Sequence, residues 1–429
     1  MRWRYWQRYF TELYRQIRRI KKMVIYIHIP FCIQKCHYCD FLSAPCDAGI
    51  RERYVECLIR EIEYYGEWYG MRGRNIPVTS IFFGGGTPSI LESNQIQSIM
   101  DKLKTTYSIE KNAEITMECN PGTVTEEKLS GYRVTGINRL SIGLQSANNA
   151  ELKSIGRIHT YEQFLNSYDM ARKCGFKNIN VDLMSALPGQ TLESYRNTIE
   201  KVLDVKPEHI SAYSLILEEG TPLYERIEQL EEQKMPTGLP DEDTEREMYY
   251  MTERMLKDAG YERYEISNYA RTGYECKHNT AYWRRDDYLG MGIGAASCID
   301  DVRMKNITDI GAYMDIYEKI DTRDDVLQKD VSERNIMEDN ALDKDETDVL
   351  SDEDKMEEFM FLGLRMMRGI SKKEFERQFN VKYDMVYGAV TAKLIKEGLI
   401  EASDDNDSLW LTPLGIDVSN MVLSQFIVT

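Results

Sequence analysis

From Met23 onward, short runs of β-branched and aromatic residues alternate with longer amphipathic stretches. The runs are VIYIHI, SIFFGG, EITMEC, RLSIGLQ, INVDLMSAL and HISAYSLIL. Between them, Tyr54 to Trp68, Ser93 to Thr106, Tyr161 to Cys174 and Leu192 to Val205 repeat apolar positions at helical spacing, and each is long enough to be a crossover helix. Alternation of this kind predicts βα units and a parallel sheet. About six units fit into 23–223, so the expected fold is α/β, a partial parallel (β/α)6 TIM-like barrel. Such barrels carry their reactive residues at the carboxyl ends of the strands. Here those ends hold a Phe-Cys loop with three cysteines, Gly84 to Thr87, Glu118 and Asn120, Gln145 and Ser146, and Asp182 early in the fifth run.

After Leu223 the pattern loosens. Pro236, Gly238 and Pro240 mark a linker, followed by a helix from Asp241 to Ala259 and the runs YERYEISNYA and YLGMGIGAASCI. Residues 224–320 therefore read as an extension facing the substrate. Residues 321–354 are rich in Asp, Glu, Lys and Asn with few large apolar side chains, which predicts a flexible acidic loop unable to offset its ordering entropy. Residues 355–429 read as helices plus a β-wing, a winged-helix-like α+β domain.

Charge narrows the partners. The 429 residues carry a formal net charge of −17, so the average surface repels nucleic acid, and the C-terminal domain has no dense basic recognition helix. Domain packing, not DNA binding, is the expected use of that domain. Residues 1–22 run the other way: Arg2, Arg4, Arg8, Arg15, Arg18, Arg19, Lys21 and Lys22 face only Glu12 and are interleaved with aromatics. This leader reads as an interfacial amphipathic helix giving peripheral membrane contact, or as an appendage to a chain that folds from Met23. It has no continuous apolar core or small-residue cleavage site, so export is not expected. No apolar run is long enough to span a bilayer. The nine cysteines form no even framework, which points to a reducing cytoplasm and metal work.

The metal work is placed by YIHIPFCIQKCHYCDF, where CxxxCxxC sets Cys32, Cys36 and Cys39 on one loop directly after a strand. A [4Fe–4S] cluster held by three thiolates leaves one iron open to a small chelate, and S-adenosylmethionine (SAM) offers an amino and a carboxylate group for that position. A zinc site is the competing reading and needs a fourth ligand, which His37 or Cys46 would supply. His28, in the preceding strand, reads as structural. The run GGGTPS at Gly84 to Ser89 permits close backbone approach, either as an anion-binding nest or as a plain tight turn.

These segments, together with MECNPG, INRLSIGLQS, GRIHT, VDLMSALPGQT and ISAYSL, resemble the coproporphyrinogen-oxidase-like branch of the radical SAM family, from about Tyr26 into the C-terminal domain. The resemblance implies a radical SAM barrel that holds a [4Fe–4S] cluster. It also implies SAM contacts from Tyr26, Gly86, Thr87, Glu118, Gln145, Arg157 and Asp182, with Tyr38 of the cluster loop beside them. Oxidases of this branch end the cluster loop in CGC, whereas Cys39 is followed here by Asp40 and Phe41. HNTAYW at His278 to Trp283 resembles the HNxxYW motif of HemW-type heme chaperones, which implies heme as a ligand, His278 as its axial ligand and a heme-acceptor protein as partner. Cys276 is a second candidate ligand that the bystander reading suits better. Two enzyme alternatives stay open: an oxygen-independent coproporphyrinogen III oxidase acting on a tetrapyrrole, and a radical SAM methyltransferase acting on heme.

Overall fold

A computed structural model describes residues 22–71, 76–320 and 344–427 of the chain. The six apolar runs form β1 (Met23–Ile29), β2 (Val78–Gly85), β3 (Ile109–Cys119), β4 (Arg139–Gln145), β5 (Ile179–Ser185) and β6 (His209–Ser214), each parallel to the next. Period-two alternation splits every strand between two environments. One face carries Ile25, Ile27, Ile81, Phe83, Met117, Leu140, Ile142, Val181 and Leu183, all buried in one core with the crossover helices. The helix Ala48–Met71 contributes Tyr54, Leu58 and Ile62 to that core. Each such side chain contributes about 1.5–3 kcal/mol on burial. The opposite face lines the inside of the barrel and is polar: Ser80, Glu114, Thr116, Arg139, Ser141, Asn180, His209 and Ser211 are all buried.

Side-chain caps start the crossover helices where the pattern predicts. Thr160 accepts from Gln163 N and Thr191 from Ser194 N, each within a reciprocal capping box.

The extension adds strands to both edges of the barrel sheet. β7 (Glu262–Glu265) and β8 (Asn268–Ala270) continue beyond β6, with β8 antiparallel to it. β9 (Asp287–Met291) lies parallel to β1, and β10 (Ala296–Ile299), β11 (Val302–Asn306) and β12 (Lys344–Val349) follow it antiparallel. The sheet order is thus β12-β11-β10-β9-β1-β2-β3-β4-β5-β6-β8-β7. The buried Glu61 carboxylate holds the β9 edge to the helix beside β1. It accepts from Gly292 N at 2.7 Å, Asn306 Nδ2 at 2.8 Å and the Tyr313 hydroxyl at 2.6 Å.

The expectation of a loop through 354 is corrected at its carboxyl end. Lys344–Val349 pairs along β11 with mostly exposed side chains, so backbone hydrogen bonding and not burial makes it a strand. Ser351 then caps the helix Asp352–Gly363. Residues 321–343 and 1–21 of the expected loop and leader lie outside the described residues.

The C-terminal unit has its own core of Met360, Leu364, Phe375, Tyr383, Leu394 and Phe426. Its sheet, β13 (Ile370–Ser371), β14 (Ile400–Ala402) and β15 (Ser408–Leu411), is antiparallel in the order β13-β15-β14. It docks on the extension through Arg285 Nε to Glu358 at 2.7 Å, Met367 N to Tyr264 O at 3.0 Å and Arg365 stacked 4.5 Å over Trp283. Among the described residues no helix is long and apolar enough to cross a membrane.

Candidate cofactor site

The cysteine loop leaves the carboxyl end of β1 and is tied down from several directions. Cys32 N donates to Ala44 O at 3.1 Å, His37 N to Ile155 O at 3.0 Å and Leu223 N to His37 O at 2.9 Å. His28 fixes the far side of the loop: its Nε2 pairs with Leu42 O at 2.8 Å and its Nδ1 with the Tyr26 hydroxyl at 3.2 Å. That is the structural role expected for His28.

The three thiols share one neighbourhood. Burial pushes the Cys39 thiol up, and Cys36 and Cys32 beside it push in the same direction. Cys36 also bonds Arg157. Thr87 Oγ1 donates to Cys32 Sγ at 3.4 Å. Among the described residues no three His, Cys, Asp or Glu side chains converge closely enough for a single metal ion. A cubane asks less of convergence, because each thiolate binds a different iron. His37 and Cys46 do not complete a zinc set either. The His37 ring packs against Gly156, and the charged neighbours of Cys46 are Arg51 and Asp47, not the other cysteines.

The glycine run does not form an open anion nest. Gly85 N donates to Glu118 Oε2 at 3.2 Å, Gly86 N to Ile29 O at 2.8 Å and Thr87 N to Phe31 O at 2.7 Å. What the glycines provide is close approach, since a Cβ on Gly86 would lie 2.7 Å from Phe31 O and 2.9 Å from Ile29 O. The run therefore locks the start of the cysteine loop to the end of β2.

Below the loop lies a cavity of about 240 Å³, lined among others by Tyr26, Glu118, Arg139, Asp182, His278 and Tyr282. Burial raises Glu118 to about 8, with Asp182 adding to the rise. Asp182 is also pushed up by burial, and Asn180 Nδ2 donates to it at 2.7 Å. Arg157, partly buried, donates to Asn120 Oδ1 at 2.9 Å and Gly143 O at 3.1 Å, and Gly143 is small because a Cβ there would meet the guanidinium at 2.6 Å. Among the described residues its Nε has no hydrogen-bond partner, nor has Arg139 Nε or Thr116 Oγ1. Buried donors left open suit an anionic or zwitterionic ligand.

Of the residues expected around SAM, Tyr26, Glu118 and Asp182 line this cavity. Tyr38 sits beside Arg157 and Asp182, and burial raises its hydroxyl. Thr87 touches the cysteine loop, and Gln145 is buried at the end of β4 with φ +69°. Arg139, Asn180 and Glu114 are absent from the sequence-based set. Their signal was the polar alternation inside RLSIGLQ, INVDLM and EITMEC.

His278 lies at the other end of the barrel from the cysteine loop. The helix Lys277–Trp283 closes the amino end of the barrel, and the Glu114 carboxylate receives Lys277 N at 3.3 Å and His278 N at 3.2 Å. His278 points inward and is 2% exposed. Its Nδ1 pairs with the Ser80 hydroxyl at 2.7 Å and its Nε2 with the Tyr282 hydroxyl at 3.0 Å. Burial lowers it to about 3, with Arg139 adding to the effect. The cavity beside it is smaller than the roughly 300–1,000 Å³ of pockets that take sizeable ligands. In this arrangement neither ring nitrogen is open to a heme iron. Cys276, fully buried, has its thiol pushed up to about 12 by burial and bonds Glu114, as a bystander would.

Residues 26–202 match the radical SAM superfamily and 350–418 the HemN C-terminal domain. The chain is 34% identical over 402 residues to the heme chaperone HemW of Lactococcus lactis, covering 94% of this chain and 96% of that protein. The chain belongs to the HemW family. The HemW of Bacillus subtilis is also 34% identical, over 94% of this chain and 98% of its own. The solved structure of Escherichia coli coproporphyrinogen III oxidase (HemN) superposes with a TM-score of 0.77 at 22% identity, covering 96% of this chain and 91% of that one, which shows a common fold. Membership of the radical SAM superfamily makes SAM and a [4Fe–4S] cluster the cofactors of this HemW-family barrel.

Proposed function

We propose that the chain is a cytoplasmic heme chaperone that binds heme and passes it to an acceptor protein, with a [4Fe–4S] cluster on Cys32, Cys36 and Cys39 and SAM at its open iron. The observation that carries this reading is the 34% identity with HemW proteins over 94% of the chain, which extends over both the barrel and the C-terminal domain. Asp40 and Phe41 in place of the oxidase CGC ending support it.

When bound, the cluster supplies an electron to SAM. The chain's own residues supply the setting. Thr87 steadies Cys32, and Arg157 offers a buried donor without a partner to an anionic group of the ligand. Glu118 and the Asn180-bound Asp182 supply hydrogen-bonding groups to the site. Tyr26, Tyr38, Gly86 and Gln145 complete the proposed SAM surroundings. Contact of the basic leader with anionic lipid belongs to the same reading, as a place of delivery, and would weaken with added salt.

The test against the oxidase alternative is anaerobic. Reconstituted protein given SAM, reductant and coproporphyrinogen III is expected to yield no protoporphyrinogen IX while taking up heme in a parallel sample. Steady conversion over many turnovers would make the enzyme reading the better one.

A further inference from the structure

The helix Lys277–Trp283 has two faces. His278 and Tyr282, four apart, turn into the barrel. Lys277, Thr280, Ala281 and Arg284 turn the other way, into an open cleft of about 630 Å³. Its other walls come from Lys22, Glu110 and Asn112 at the amino ends of the strands and from Met366, Met367 and Arg368 of the C-terminal domain. The cleft therefore lies at the opposite end of the barrel from the cysteine loop.

Its chemistry is specific. Lys22 is occupied by Glu110 at 3.5 Å, Lys277 Nζ by Asn112 O at 3.1 Å and Arg263 by Tyr249 and Ile266 O. Arg284 and Arg368, both exposed residues, have no ion pair among the described residues; partial burial and then repulsion from Arg284 lower the Arg368 guanidinium, against the opposing pull of Glu374 and Asp286. Thr280, 8% exposed, also lines the cleft. Beside these donors, Met366 and Met367 form a soft apolar wall with Ala281. Glu110, Glu275 and Asp286 also line the cleft, so a planar apolar ligand with two carboxylates along one edge fits the side formed by Arg284, Arg368 and the methionines, and the volume falls within the roughly 300–1,000 Å³ range of ligand sites.

We propose that heme is held in this cleft, its propionates on Arg284 and Arg368 and its apolar face on Met366 and Met367, so that the HNTAYW segment serves heme through its outer face and not through His278. The proposal rests on the heme-chaperone reading. It also separates the cargo from the cluster and SAM by the depth of the barrel, leaving the cluster mouth free while heme is carried.

The experiment is a titration of ferric heme into the full-length, anaerobically reconstituted protein, followed in the Soret region. The double variant R284E/R368E is expected to bind heme roughly tenfold or more weakly, because like charges then face the propionates. Its iron and sulfide content should be unchanged. Heme dimethyl ester, whose propionates carry no charge, should bind the unaltered protein roughly tenfold more weakly than heme and be insensitive to the double substitution. If the unaltered protein takes up no heme, the chaperone reading falls and the cleft with it. If it takes up heme but equally well as heme and as the ester, the cleft assignment alone is overturned, even where the charge-reversed variant does not fold. Unchanged heme affinity in a folded R284E/R368E protein overturns it as well.

Discussion

Replacing any one of Cys32, Cys36 or Cys39 by alanine is expected to abolish the visible absorbance of the reconstituted cluster and, with it, SAM binding. A cubane left with two thiolates has a second unsupported corner, and no other cysteine is placed to substitute. Cys57, Cys119, Cys276 and Cys298 lie outside the cysteine loop, in the helix Ala48–Met71, at the end of β3, just before the helix Lys277–Trp283 and in β10. Cys46→Ser and Cys174→Ser, at partly exposed positions, should keep iron and sulfide at the unaltered level. Iron and sulfide near that level in any of the three alanine variants would contradict the cluster assignment.

His278→Ala is expected to act on stability and not on heme. The substitution opens a void beside Phe82, whose ring centroid is 5.0 Å from the imidazole, and leaves the Ser80 and Tyr282 hydroxyls without their partner. A cost of about 2–4 kcal/mol follows. The pH dependence gives a second signature. His278 stays neutral in the folded protein down to about 3 but takes up a proton near 6.5 once unfolded, so its burial costs stability progressively as pH falls below 6.5. The alanine variant lacks that group. The gap in unfolding free energy between unaltered protein and variant should therefore narrow on acidification, by about 1.4 kcal/mol per pH unit. An unchanged unfolding midpoint together with a lost Soret band would instead return His278 to the role of axial ligand.

The βα frame and the cysteine loop were legible because both are written locally, one in alternating apolar runs and the other in the eight consecutive positions from Cys32 to Cys39 that hold three thiolates. Less legible was anything that depends on a distant partner. β9 comes from a Gly-rich stretch that pairs with β1 across more than half the chain, and β12 has so few apolar side chains that only its bonds to β11 mark it as a strand. The direction of His278 was hidden for a related reason. The motif names the residues, but the face of the helix that turns inward is decided by Ser80 and Glu114, which belong to strands far away in sequence. The polar barrel interior was readable in principle, since Arg139, Ser141 and Gly143 alternate with apolar residues, but alternation alone marks a half-exposed strand as readily as a polar interior.

The central claim is that this chain delivers heme. The most direct measurement is transfer from the heme-loaded, reconstituted protein to a heme-free acceptor enzyme, read as recovered acceptor activity against the same concentration of heme in buffer. Recovery from the loaded protein is expected to be faster and more complete. Recovery no faster than from free heme would contradict it.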